Sequence, residues 1–371
     1  MSEPADPAPT APSATKGGAT DGDGRAAKRA ATLRARRPRR VLPAIELVTL
    51  AVFLLFPLAL ELTLDNTYYL TGLATRMLLL AIFAISFDLC WGYSGIMAFG
   101  QGMFFGAAGY VVGLLGRDAE LAQLVVTVPI AILVSLIFAG LIAWFLLLGK
   151  RAPTIIFVAM GTLTASYAAE RLAGGWTYIG AANGLSSIEI MMLGGLEFFD
   201  GEYKFYYLAL AFLVAVYALC RMVVKSQFGL VLAGIRENEE RLAFFGYRVQ
   251  AFKAVIFTFA GAVAGLAGAL YSYHEGYAGI DMLGIQTSTM AVLYSFVGGT
   301  GTLIGPVIGV VAVEVATNWL ADVEGIRNYW QSILGLLLLV VIAYRPTGLL
   351  GFLVSHRERV GSYGRPPKRN G

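Results

Sequence analysis

From Leu121 to Gly149 the chain runs for 29 residues without a single Lys, Arg, Asp or Glu. Lys204 to Cys220 and Ala254 to Tyr273 repeat the pattern with few charges or none. About 20 apolar residues are enough to cross the hydrocarbon of a bilayer as a helix. Lipid offers no partner to a backbone N–H or C=O, so a spanning segment must bond internally as a helix or close into a barrel. Barrel strands would need about ten alternating residues each, and that alternation is absent from the sequence. The expectation is an all-α, polytopic transmembrane helical bundle. Composition agrees: 57% of residues are hydrophobic and 14% charged, against about 25% charged in ordinary soluble domains.

The net charge of +4 acquires meaning from its placement. Eight Lys and Arg residues crowd Arg25 to Arg40, just before the first apolar run, and the positive-inside rule puts that end in the cytoplasm. Lys150, Arg151, the stretch Arg221 to Lys253 and the stretch Arg345 to Arg369 mark further inner segments. Asp65, Asn66, Asp118, Glu120, Glu197, Asp200 and Glu202 fall on the outer side. A basic segment that abuts a membrane span reads as a topology signal beside anionic lipid and not as a nucleic-acid site. Ten apolar passages follow, at about 41–63, 70–92, 94–116, 121–149, 154–173, 204–222, 251–273, 285–299, 302–321 and 328–345. An even number returns the C-terminus to the cytoplasm, and counting the short ones as crossings or as re-entrant gives about 8–10 membrane passages. The passages at 94–116 and 285–299 have the pattern of broken or re-entrant helices.

Residues 1–40 read as a disordered basic cytoplasmic tail, since Met1 to Gly24 has no apolar signal-peptide core. Residues 41–352 form the transmembrane domain and 353–371 a cytoplasmic C-terminal tail. Cys90 and Cys220 lie in apolar helical runs and behave as small hydrophobes, with no disulfide or Cys-ligated metal implied. The two histidines, His274 and His356, lack metal-ligand spacing. No phosphate-binding Gly-x-x-x-x-Gly-Lys-Ser/Thr and no Gly-x-Ser-x-Gly nucleophile elbow is present. No catalytic or metal site is therefore expected.

Two glycine-rich interruptions stand out, one in each half: Gly92 to Gly102 and Gly298 to Pro306. Paired interruptions in transporters point to a mid-membrane site, because broken helices free backbone groups for a polar solute. Close helix packing is the competing reading. Candidate pathway residues are Ser94, Gly95, Gln101, Asn183, Gly299, Thr300, Gly301 and Thr302. The run Gly261 to Gly268, small residues at four-residue spacing, reads as a packing face. Between two spans, at about 229–250, lies the polar word Arg236-Glu237-Asn238-Glu239-Glu240-Arg241, closed by Gly246. Asn238 or Glu237 can cap a short helix there, with Leu242, Phe244 and Phe245 as its apolar face and Arg236, Glu239, Glu240 and Arg241 as a charged rim. Gly246 permits a tight exit. Either a partner or the membrane surface can receive such a helix.

From about Leu70 to Phe352 the chain resembles the permease subunits of the branched-chain amino acid ABC importer family, which also includes urea and short-amide transporters. Four segments carry the resemblance in the family's order: Trp91 to Gly95 with Phe99 to Gly106 and Gly109-Tyr110; Gly180 to Leu185; Ala233 to Tyr247; and Gly298 to Pro306. Members often have a Gly-His pair where this chain has Gly100-Gln101, and a second glycine with an acidic residue near Ala181 to Asn183. The resemblance implies alternating access, with Arg236, Glu237, Glu239, Glu240, Arg241 and Gly246 in an ATPase-coupling segment. It implies a second homologous permease, two cytoplasmic ATPase subunits that use ATP and magnesium, and an extracytoplasmic solute-binding protein received by loops that include Trp176 to Glu202. The chain itself would hold no cofactor, and its place would be the plasma (inner) membrane of a bacterium. Rival classes are a urea or short-amide ABC permease, a secondary transporter and a passive channel.

Ionisable residues in spans are functional candidates because burying them costs several kcal/mol or forces local rearrangement. Here they are Arg76, Asp88, Glu170, Arg171 and Glu314, with Glu314 facing the bundle interior. Ser94, Gln101, Thr162, Thr164, Asn183, Gln286, Thr287, Ser288 and Thr289 supply neutral polarity that suits an amino acid or an amide.

Overall fold

A computed structural model describes residues 41–63, 68–119, 121–149, 154–186, 188–322, 335–336 and 348–352. Eleven α-helices occur among them: α1 (Val41–Thr63), α2 (Tyr68–Asp88), α3 (Gln101–Ala119), α4 (Leu124–Leu147), α5 (Ile155–Gly175), α6 (Tyr203–Lys225), α7 (Gln227–Glu237), α8 (Glu239–Phe244), α9 (Val249–Glu275), α10 (Ile285–Gly298) and α11 (Ile304–Asp322). Nine of the ten expected passages are thus helical, and α7 and α8 form the polar insertion. Residues 1–40, Asp65, Asn66, Glu120, Lys150, Arg151, the passage 328–345 apart from 335–336, and the tail 353–371 lie outside the described residues.

Two details differ from the sequence reading. The third passage begins at Gln101, not at 94, because α2 ends in a π-helical turn, Leu89–Tyr93, and the chain then leaves helical geometry. Gly95 turns it with φ +73°, a left-handed conformation open to glycine at little cost. Short strands also occur where none were expected. β1 (Leu185–Ser186) pairs antiparallel with β4 (Tyr277–Ala278), and β2 (Met191–Leu193) pairs with β3 (Leu196–Phe198). At two or three residues each they are too short to leave a periodic trace in the sequence.

The bundle is built around α2 and α9. In α2 with its π turn, 89% of the most apolar stretch is buried, and in α9 72%, against 33% in α4 and 28% in α6. All four are apolar around their circumference, so lipid-facing and core helices cannot be told apart by periodicity. Small residues decide the difference in places. A Cβ on Gly261 would stand 2.3 Å from the Ala139 Cβ, one on Gly265 2.4 Å from the Ser135 Cβ, and one on Gly268 1.9 Å from the Phe105 carbonyl oxygen. The run Gly261 to Gly268 therefore seats α9 directly on α3 and α4, as its spacing suggested. The helices α10 and α11 pack on each other and both pack against α2.

The two ends of the bundle differ. One carries α7 and α8 with the turn after α2 and the loop between α10 and α11. The other carries the strands, with a contact of 2.8 Å between His274 Nδ1 and Asp200 Oδ1.

Candidate functional site

At the α8 end the two glycine segments meet. Residues 299–303 break the α10–α11 connection with three positive φ values, Gly299 at 117°, Gly301 at 78° and Leu303 at 60°. A leucine in that region is uncommon and needs outside support. Asp88, fully buried at the end of α2, supplies it. Its Oδ1 accepts from the Gly301 N–H at 2.7 Å and its Oδ2 from the Leu303 N–H at 3.2 Å. Thr302 closes the turn, accepting from the Gly305 N–H at 3.0 Å in the manner of an N-cap. Gly92 packs so tightly that a Cβ there would lie 2.6 Å from the Gly301 nitrogen. The carboxylate thus joins the two halves of the chain across 213 residues of sequence.

Arg236, in the last turn of α7, reaches this joint. Its Nη1 donates to the Gly92 carbonyl oxygen, and its stem lies against Gly95. A Cβ on Gly301 would be 3.2 Å from the same Nη1. Asn238 then caps α8, its Oδ1 accepting from the Arg241 N–H at 2.9 Å. Glu239 turns inward to Lys253 of α9 in an ion pair, while Glu237, Glu240 and Arg241 are exposed. The expected apolar face is corrected in one respect. Leu242 packs inward under Gly234, whereas Phe244 and Phe245 point outward, 91% and 73% exposed. A helix of six residues has less than two turns, so neighbouring apolar residues cannot all share one side. Gly246 follows with φ +87°.

The pathway candidates divide by position. Ser94, Gly95, Gly299, Thr300, Gly301 and Thr302 belong to the joint. Ser94 is buried and its hydroxyl donates to the Cys90 carbonyl at 2.6 Å. Gln101 is fully buried, donating to the Cys90 sulfur at 3.4 Å, and its Oε1 has no hydrogen-bond partner among the described residues. Asn183 is exposed in a 3-10 turn at the strand end, apart from the others.

A second site, built mainly from residues outside that candidate set, opens at the strand end. A cavity of about 530 Å³ lies among α2, α3, α9, α10 and α11. Arg76, Glu275, Asp281 and Glu314 bring four formal charges to it, and Tyr271, Tyr277 and Tyr294 line it. The Arg76 Nε stands 3.7 Å from Glu275 Oε1, an ion pair without a hydrogen bond. Tyr294 donates its hydroxyl proton to Glu314 Oε1 at 2.5 Å. Arg76 and Glu314 carried a signal, as ionisable residues within spans. Glu275 had none, since it ends its helix like any surface residue, and only folding brings it to Arg76.

The family described as "Branched-chain amino acid transport system / permease component" matches residues 69–343. The high-affinity branched-chain amino acid transport system permease protein LivM of Salmonella typhimurium is 24% identical over 339 residues, covering 84% of this chain and 78% of that one. The probable branched-chain amino acid transport permease protein LivM of Methanocaldococcus jannaschii is 25% identical over 315 residues, 72% of this chain and 89% of the relative. The permease protein BraD of Pseudomonas aeruginosa reaches 30% over 141 residues, covering 37% of this chain and 44% of the relative. No solved structure matches. A match over residues 69–343 takes in both glycine segments, α7, α8 and the cavity, and so the chain is a membrane transport subunit that belongs to the family of branched-chain amino acid transport system permease components.

Proposed function

We propose that the chain is one of two permease subunits in an ATP-driven importer of branched-chain amino acids in the bacterial plasma membrane. The α8 end faces the cytoplasm with both termini. The strand end receives solute from an extracytoplasmic binding protein, at loops that include Trp176 to Glu202. Two ATPase subunits use ATP and magnesium, and this chain holds no cofactor of its own. Solute crosses by alternating access, driven by partners that bind the two states unequally.

The observation that carries this reading is the construction of α8. A short capped helix leaves Phe244 91% exposed beside Glu240 and Arg241, the pattern of an aromatic anchor with a charged rim. Its neighbour Arg236 lies on the joint between the two glycine segments. A docked subunit that pulls on α8 therefore pulls on both segments at once.

The test is uptake in proteoliposomes that hold the complete complex. Phe244→Asp or Glu240→Lys should leave the chain in the membrane and reduce ATP-dependent leucine uptake about tenfold or more, in line with the loss of an interface anchor. Arg236→Ala should retain the ATPase while hydrolysis no longer yields transport. Leucine uptake that persists in vesicles without ATPase subunits would defeat the proposal.

A further inference from the structure

The cavity at the strand end is amphiphilic. Leu80, Phe83, Phe105 and Met290 give it apolar lining, and Arg76, Glu275 and Glu314 give it charged lining. Its volume, about 530 Å³, lies within the range of small-molecule sites, roughly 300–1,000 Å³. The charges are placed within the helices. Arg76 is in the third turn of α2, and Glu314 is 7% exposed in the middle of α11.

A carboxylate as enclosed as Glu314 is costly unless a partner or a ligand compensates it. The Arg76 side chain is 43% exposed, with Glu275 standing off at 3.7 Å and, among the described residues, no hydrogen-bond acceptor for its Nε. A guanidinium is a fork of donors shaped for a carboxylate. Glu314 accepts one hydrogen bond from Tyr294, and a carboxylate has lone pairs for an ammonium group besides. We infer that this cavity is a receptor for a zwitterionic α-amino acid, in which Arg76 takes the carboxylate, Glu314 the ammonium group, and the Leu80–Phe83–Phe105–Met290 wall an aliphatic side chain. A neutral amide would need no such charges, and a simple cation would leave Arg76 without a ligand group. The inference deepens the import reading and rests on it for the side from which solute arrives.

Gln286 lines the cavity and is exposed, while Cys90 and Cys220 are both fully buried. In the complete complex, a Gln286→Cys thiol should therefore react with a membrane-impermeant methanethiosulfonate, and the native thiols should stay silent. L-leucine should slow that labelling. Isopentylamine, which lacks the carboxylate, and 4-methylpentanoate, which lacks the ammonium group, should each need about tenfold to a hundredfold higher concentration for the same protection. Arg76→Gln and Glu314→Gln, placed separately in the same background, should shift leucine protection by a similar factor, with Arg76→Lys intermediate. A variant that acts only through folding would lower the yield of monodisperse complex and leave protection of the folded fraction intact. Labelling indifferent to leucine, equal protection by either half-molecule, or unchanged protection in both charge variants would overturn the assignment. Leucine uptake by the unmodified complex separates the two levels. If no amino acid is taken up the import reading fails, and if leucine is taken up while labelling ignores it, only the cavity assignment fails.

Discussion

The joint at the α8 end and the cavity at the strand end both hold a charged side chain of α2, and they treat it in opposite ways. Asp88 is fully enclosed, and both its oxygens accept from main-chain N–H groups of the α10–α11 loop. Arg76, twelve residues earlier on the same helix, has a side chain 43% exposed, an Nε with no acceptor among the described residues, and an ion-pair partner beyond hydrogen-bond distance. A compensated charge fixes structure, because removing its partners leaves buried polar groups exposed to no solvent. A poorly compensated one is available for something that arrives. In the proposed reading, the difference separates the part of the molecule that transmits motion from the part that recognises a solute.

That contrast can be tested first by steric means. A Cβ on Gly298 would meet the Gly305 carbonyl oxygen at 1.7 Å, and one on Gly309 the Tyr294 carbonyl oxygen at 1.9 Å. Gly309→Val should cost roughly 3 kcal/mol or more by overpacking backbone on backbone. The readout is the yield of monodisperse protein after detergent extraction, and near-normal yield would show that α10 and α11 pack more loosely than described.

Removing the two charges separately gives the sharper comparison. Asp88→Ala strips two buried N–H groups of their acceptor, at about 1–3 kcal/mol each, and should lower the thermal midpoint of the solubilised protein. Asp88→Asn retains one acceptor oxygen and should fall between. Arg76→Gln should leave the midpoint almost unmoved while uptake is lost. Equal destabilisation by Asp88→Ala and Arg76→Gln would erase the distinction.

The smallest effect is expected at the rim of the strand end. Asp118 is held below the ordinary aspartate value of 3.8, first by the Arg117 hydrogen bond and next by that of the Tyr178 hydroxyl, at 2.7 and 2.5 Å. A depressed carboxyl stabilises above its unfolded value, and the contribution disappears as pH falls through the folded one. Hydrogen exchange at residues 176–184 should therefore quicken below about pH 3.8 relative to its intrinsic rate. Asp118→Asn should flatten that dependence. The pair is solvent-exposed, so the change is confined to this loop.

Local chemistry was legible in the sequence, and long-range assembly was not. Apolar length alone located α1, α4, α6 and α9 to within a few residues, since hydrocarbon thickness sets both numbers. Asn238 announced its cap through the polar word that follows it. The glycine segments were visible as interruptions, yet nothing local says that Gly92 and Gly301 touch, because that contact depends on how α2 packs against the α10–α11 pair. The same holds for Arg76 and Glu275, on helices 199 positions apart in the chain. The inward turn of Leu242 escaped because the phase of so short a helix is set by its anchors at Asn238 and Lys253 and not by its own pattern.

The α2 carboxylate also bears on leakage. To move the turn after α2 without the α10–α11 loop, both charge-assisted bonds of Asp88 must break, at about 1.5–3 kcal/mol each. A conformer with one loop displaced is then populated on the order of one part in a hundred to one in ten thousand. A transporter that opened in two independent stages would pass through such half-released conformers on every cycle, each an opportunity for ions to slip through. With the two loops fastened together at Gly301 and Leu303, such half-released conformers are rare, and ion slip during transport is expected to be correspondingly small.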